Sequence, residues 1–343
     1  MMEGINVIAG PCSAESESQV MLAASMLKNA GVKCFRAGLW KPRTHPGCFE
    51  GVGEKGIPWL QRVQRELGLK VCTEVAGSGH VKACLDAGID SLWIGARTTV
   101  NTFLVQEIAE ALKGRDDVSV LVKNPVSRDL GLWIGAVERL RGQGITGISL
   151  IHRGFSTFKK TRYRNSPEWQ VAIEMHSRFP ELPMLCDPSH IAGDSALVAE
   201  VARQALDLGF NSLMVEVHPS PGEALSDAAQ QLTPDEFSAM MSTLRTRRSG
   251  SDNPEFTSRL EELRSGIDSL DLSLLEILSE RMELSRQIGE IKRLSSVSIL
   301  QMDRWKKLLS DVTAAGARMG LSEEFVGDLF SLIHEASISE QNS

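Results

Sequence analysis

The sequence contains no C-x-x-C pair, and its six cysteines stand at irregular spacing along 343 residues. A disulfide framework needs a dense, even cysteine pattern in a short chain, so reduced thiols are expected. No apolar stretch approaches the roughly 18 residues that a membrane helix requires. The opening MMEGINVIAG has neither a basic leader region nor a cleavage site and runs straight into a strand-like segment. These absences predict a cytoplasmic protein with no membrane partner. Disorder is excluded too, because apolar residues make up 42% and charged residues 24%, both ordinary for packed domains. The formal net charge of -7 argues against nucleic acid as a bulk partner, while clustered arginines leave room for pockets that take small anions.

What is present reads as two modules. The length accommodates one barrel of about 250 residues and a compact module of about 90. Eight short runs rich in Val, Ile, Leu and Cys, at 5–10, 34–39, 70–75, 91–96, 119–124, 147–154, 183–190 and 212–219, are each followed by helical periodicity. Eight such units ending near Arg245 predict an α/β fold, a closed (β/α)8 TIM barrel over 1–245 rather than an open doubly wound sheet. The polar stretch TRRSGSDNPEF then predicts a linker at 246–256, followed by a small all-α helical domain of three helices over 257–343. Asn253 can cap a helix and Pro254 suits its first turn, so a long helix is expected to run to about Arg293. Shorter helices are expected near 299–315 and 322–341.

Catalytic groups of such barrels sit at the carboxyl ends of the strands. Here the runs end in Cys12, in Arg36 with Lys41 and Arg43, in Glu74, Arg97, Lys123 and Arg153, in Asp187 with His190, and in Glu216. Six cations around one mouth would repel one another by several kcal/mol without counter-charge, so the pocket should hold strongly anionic ligands. Two phosphates and a carboxylate would balance them. Cys12, His190, Glu216 and Asp227, the last in the loop after strand eight, supply sulfur, nitrogen and oxygen donors. Such a mixed set suits one divalent metal ion, Mn, Fe, Co or Zn. Cys12 taken alone fits a small core residue better than a ligand, and that reading is kept for the other five cysteines. His218 shares the strand face of Glu216 and is either a rival ligand or a group supporting one from behind. Lys159, Lys160, Arg162 and Arg164 either close over substrate or form a solvated basic loop.

The motifs GPCSAES, FRAGLWKPRT, CTEV, GARTT, LVKNP, IHRGF, DPSH and VEVHPSP, spread over residues 8–221, resemble the type I beta class of 3-deoxy-D-arabino-heptulosonate 7-phosphate (DAHP) synthases. KPRT discriminates most, because related synthases that use arabinose 5-phosphate lack it. The resemblance implies a metal-dependent, aldol-type condensation of phosphoenolpyruvate with erythrose 4-phosphate. It makes Cys12, His190, Glu216 and Asp227 the metal ligands. It places Arg97, Lys123 and Arg153 at the phosphate of phosphoenolpyruvate, Arg36 and Lys41 near its carboxylate, and Arg43 and Thr44 on erythrose 4-phosphate. Lys41 and Glu74 are candidates for proton transfer near the aldehyde. ALSDAAQQL around Asp227 departs from relatives that often carry Gly and Pro after this Asp.

In the C-terminal part Leu263, Ile267, Leu270, Leu274, Ile277, Leu284, Ile288 and Ile291 form an apolar seam that is broken at Arg281. Arg281 and Lys292 stand 11 residues apart and project from one face, whereas Arg264, 17 residues before Arg281, points elsewhere. Two cations in an apolar seam call for a bound anion, and a dicarboxylate would satisfy both. The segment LRSGIDSLDLSLLEILSERMELSRQIGEIKR resembles the long first helix of the helical, AroQ-type chorismate mutases. The resemblance implies rearrangement of chorismate to prephenate at a site formed by Arg281, Lys292, Arg304, Ser337 and Gln341. Arg264 would reach the site of a second protomer in a homodimer or higher homo-oligomer. Lys292 and Gln341 would bond the ether oxygen, where negative charge grows. Gln301 and Trp305 stand where many relatives carry Asp and Glu, so recognition of the substrate hydroxyl must differ. The barrel starts almost at residue 1, which raises the further expectation that the helical domain controls it allosterically, with chorismate or prephenate as effector. The alternative confines the helical domain to dimerisation or sensing.

Overall fold

The computed structural model describes residues 4–43, 45–158, 161–247, 250–251 and 253–342, and the chain divides into two compact units, Met1–Ser249 and Gly250–Ser343. The first unit carries eight parallel strands: β1 (Asn6–Gly10), β2 (Cys34–Arg36), β3 (Lys70–Val75), β4 (Ser91–Ile94), β5 (Ser119–Lys123), β6 (Ile148–His152), β7 (Met184–Cys186) and β8 (Ser212–Glu216). Each pairs with the next, and β1 closes on β8 through Ala9 with Val215 and Gly10 with Glu216. The closed (β/α)8 barrel expected from the eight runs is therefore present.

Except for β3, the strands are shorter than the apolar runs that announced them, mostly because the chain turns at the mouth. Ala96–Thr99 and Pro188–Ala192 are short helices, not strand continuations. Pro188 has no N–H to give to a ladder and suits a first helical turn. Arg97 and His190 accordingly stand on these helices and not at strand ends.

Inside the barrel Ile8, Cys34, Cys72, Trp93, Leu121, Ile151, Leu185 and Met214 form one apolar cluster, with one residue from each strand. Side chains alternate across a strand, so the residue two further on returns to the inner face one layer nearer the carboxyl end. Those positions are Gly10, Arg36, Glu74, Gly95, Lys123, Arg153, Asp187 and Glu216. A layer of charge therefore lies directly on an apolar plug. The two glycines make room for it. A Cβ on Gly10, whose φ is +154°, would lie 2.0 Å from the Arg36 carbonyl oxygen, and one on Gly95 would lie 2.0 Å from Glu74 Oε1.

The second unit consists of helices Pro254–Leu294, Met302–Arg318 and Glu323–Asn342. The Asn253 side chain accepts from the Glu255 and Phe256 N–H groups, so residues 254–256 belong to the first turn of the long helix and not to a linker reaching 256. The last helix packs closely on the long one where Gly289 faces the backbone of Gln341, 2.6 Å from a would-be Cβ. The apolar seam of the long helix is open in the single chain, with Leu270 70% and Ile291 64% exposed. Among the described residues no helix is long and apolar enough to cross a membrane.

Gly10→Ala should lower the unfolding free energy by roughly 2 kcal/mol or more, since the clash is with backbone. Gly135→Ala, in the helix Leu130–Gly142 with open space around its Cβ, should instead raise it by about 0.5–1 kcal/mol. Urea denaturation of both variants checks this pair.

Candidate active sites

The charged layer of the barrel is organised around two buried carboxylates. Glu216 Oε1 accepts from Arg36 Nη2 at 3.0 Å, and the guanidinium lies 4.7 Å over the Trp93 ring. Both partners are fully buried, and Arg36 Nε and Nη1 have no hydrogen-bond partner among the described residues. Asp187 Oδ2 accepts from Lys123 Nζ at 2.8 Å and lies 2.8 Å from His190 Nδ1. Burial opposes ionisation of Asp187, yet His190, Lys123 and Arg36 hold its carboxyl well below the usual carboxylate range. Burial pushes the Lys123 ammonium down, with Asp187 resisting. Burial likewise brings Arg153 down to about 10, which leaves it cationic at neutral pH. Arg153 Nη1 donates to Asn165 Oδ1 at 2.9 Å, and its N–H donates to Asn124 Oδ1 at 2.7 Å.

Lys41 Nζ stands 3.7 Å from Glu74 Oε2. Burial works against its charge, but Cys12 and Glu74 carry it up to about 12, so Lys41 holds its proton at neutral pH. Arg43 Nη1 is 3.7 Å from Asp227 Oδ2, and Arg43 Nε donates to the Phe49 carbonyl at 3.0 Å. One cavity is lined by Lys41, Arg43, Arg97, Lys123, Arg153 and Arg164, with Glu74 and Asp227 as its only lining carboxylates among the described residues. Thr44, Lys159 and Lys160 lie outside the described residues.

Cys12, Glu216 and Asp227 each offer a ligand atom, all within 4.8 Å of one another. His190 Nε2 borders this group at 3.8 Å from Glu216 Oε1. Burial and then Glu216 push the Cys12 thiol up to about 12. A nearby cation is what converts such a thiol to thiolate, so the donor set fits a metal ion chemically. Two further residues hold the outer oxygens: Gln230 Nε2 donates to Glu216 Oε2 at 2.7 Å, and Arg164 Nη1 donates to Asp227 Oδ1 at 3.1 Å. His218 stands apart from the group, with its Nδ1 accepting from the Ser220 N–H and its Nε2 3.8 Å from Glu15.

Sequence reasoning missed Asn124, Asn165 and Gln230 and gave Asp187 no task. Asp187 was visible in DPSH, but only folding shows that it joins Lys123, 64 positions away, to His190. Gln230 comes from the departing segment around Asp227, which nonetheless brings that carboxylate to Cys12 at 3.4 Å from its Sγ.

In the helical unit Arg281 Nη1 donates to Ser337 Oγ, and Lys292 Nζ donates to Gln341 Oε1 at 3.2 Å. These four come together across the long and last helices. Arg304, on the second helix, is exposed and not bonded to them. Arg264 is exposed on the long helix, and at 1.5 Å rise per residue it stands about 25 Å along the axis from Arg281. It cannot join the same group within one chain. Trp305 stacks on His334, with ring centroids 4.0 Å apart and planes 6° from parallel.

Asp187→Asn would leave Lys123 buried beside a neutral amide. Removing one partner of such a pair costs about 3–5 kcal/mol, so a loss of that order in chemical denaturation at neutral pH is expected.

Residues 3–249 match the family model of the DAHP synthetase I family, and residues 263–342 match that of chorismate mutase type II. A phospho-2-dehydro-3-deoxyheptonate aldolase of Thermotoga maritima is 36% identical over 226 residues, covering 66% of this chain and 64% of that protein. The chain thus spans just under two thirds of that relative. A 2-dehydro-3-deoxyphosphooctonate aldolase of Syntrophobacter fumaroxidans is 27% identical over 261 residues, covering 69% of this chain and 85% of that protein. The crystal structure of the Thermotoga maritima DAHP synthase superposes with a TM-score of 0.62 at 33% identity, over 69% of this chain and 67% of that one. A truncated form of the Thermotoga maritima synthase gives 0.59 at 31% identity, over 69% and 84%. The motif resemblance is borne out in both modules: the chain belongs to the DAHP synthetase I family and carries a chorismate mutase type II region after its barrel.

Proposed function

We propose that the chain is a bifunctional enzyme of the shikimate route, condensing phosphoenolpyruvate with erythrose 4-phosphate and water to DAHP and inorganic phosphate, and rearranging chorismate to prephenate. The observation that carries the first activity is the cavity at the barrel mouth, lined by six cations and two carboxylates, with the buried Arg36 near it keeping two donor nitrogens that have no partner among the described residues. Such donors cost free energy until an anionic ligand accepts from them. Arg97, Lys123 and Arg153 take the phosphate of phosphoenolpyruvate, Arg36 and Lys41 its carboxylate, and Arg43 with Thr44 the erythrose phosphate. When bound at Cys12, His190, Glu216 and Asp227, one divalent ion among Mn, Fe, Co and Zn supplies Lewis-acid polarisation of the aldehyde. Lys41, which keeps its proton, is the group that can deliver it to the developing alkoxide, with Glu74 beside it to orient the ammonium. Neutralising and holding two anions at reacting distance is the larger contribution of this site.

For the second activity Arg281, Lys292 and Arg304 balance the dicarboxylate, Ser337 fixes Arg281, and Lys292 with Gln341 meets the ether oxygen as negative charge grows there. A second copy of the chain supplies Arg264 and covers the exposed apolar seam, which supports a homodimer. A cytoplasmic setting is part of this proposal.

Purified full-length protein, Arg281→Ala and Cys12→Ser would be assayed for chorismate consumption and for phosphoenolpyruvate consumption with erythrose 4-phosphate. Arg281→Ala should cut chorismate turnover roughly 100-fold and leave the condensation intact. Cys12→Ser or a chelator should do the reverse. Unchanged condensation after complete metal removal would sink the metal assignment, and wild-type protein inert toward chorismate would reduce the helical unit to assembly or sensing.

A further inference from the structure

His334 lies on the last helix, three residues before Ser337 and seven before Gln341, a spacing that keeps all three on one face. Ser337 accepts from Arg281 and Gln341 from Lys292, so this face looks onto the two cations. The imidazole is held flat against Trp305 of the neighbouring helix, with centroids 4.0 Å apart. Its Nε2 is closed off from solvent and has no hydrogen-bond partner among the described residues. Burial, then the charges of Arg281 and Lys292, hold His334 below the ordinary histidine value, so the ring is neutral at neutral pH.

A closed-off ring nitrogen without a partner costs about as much as a lost hydrogen bond, and a ligand atom is what can satisfy it. The chemistry narrows which atom. A carboxylate would go to the cations, which bind it with charge assistance. A neutral imidazole has one donor and one acceptor, and so matches a hydroxyl, which is also both. Trp305, from which no hydroxyl-binding carboxylate can project, instead fixes the ring plane.

Building on the mutase reading, we propose that His334, positioned by Trp305, hydrogen-bonds the ring hydroxyl of the dicarboxylate substrate and determines selectivity for it in the helical domain. The full chain and His334→Ala would be compared on chorismate and on the analogue in which the ring hydroxyl is replaced by hydrogen, with thermal unfolding as a folding check. His334→Ala should lower kcat/KM for chorismate roughly tenfold while leaving that for the analogue unchanged, so that discrimination between the two collapses. His334→Leu, which keeps an apolar surface against Trp305 but removes both hydrogen-bonding atoms, gives the same reading if the Ala form does not fold. Equal losses on both substrates, or no loss on either, would overturn the assignment while leaving the mutase reading in place. A wild-type chain that condenses phosphoenolpyruvate with erythrose 4-phosphate but does not turn over chorismate would overturn the mutase reading and the His334 assignment with it.

Discussion

The alternation of side chains along eight parallel strands in a closed ring is the constraint on which the barrel site depends. It puts one apolar residue per strand, Trp93 the largest, into a plug and sends the next inward position of nearly every strand into a charged layer above it. Charge resting on a dry floor cannot be screened from below. Burial opposes ionisation of Glu216 and Asp187, and His190 with Arg36 in one case, and His190 with Lys123 in the other, hold both carboxyls below their usual range. Once those pairs are made, the cations lining the mouth still outnumber its two carboxylates, and two Arg36 donor nitrogens have no partner among the described residues.

The helical unit solves a related problem with other means. Its cations come from one long helix and are matched by a hydroxyl and an amide of the last helix, neither of which removes charge. The two cations therefore keep an unbalanced positive charge, which suits the proposed dicarboxylate. Among these groups the neutral His334, pinned on Trp305, differs in kind, and its Nε2, without a hydrogen-bond partner among the described residues, is the atom on which the proposed selectivity rests. Arg264 stands a long way down the same helix, and the apolar seam of that helix is open in the single chain.

Much was legible along the chain because the signals were local. Eight apolar runs separated by helical periods meant a barrel, Asn253 followed by Pro254 meant a helix start, and the residues closing each run, Cys12 through Glu216, meant one rim. The family resemblance rested on the same short motifs. Strand ends were placed too late wherever a motif residue after the strand, such as Arg97 or His190, begins a helical turn, because apolarity does not distinguish a strand from the buried turn that follows it.

By itself the sequence determined the two modules, their periodicities and the set of residue types offered to each mouth, since these depend on neighbours a few positions apart. Only the tertiary structure decided who pairs with whom. Asp187 joins Lys123 to His190, Gln230 and Arg164 hold the outer oxygens of Glu216 and Asp227, and His334 lies against Trp305. Apart from the three-residue step from Asp187 to His190, each of these pairings spans an interval with no fixed period, and its geometry is set by barrel closure and helix packing, which no local pattern encodes.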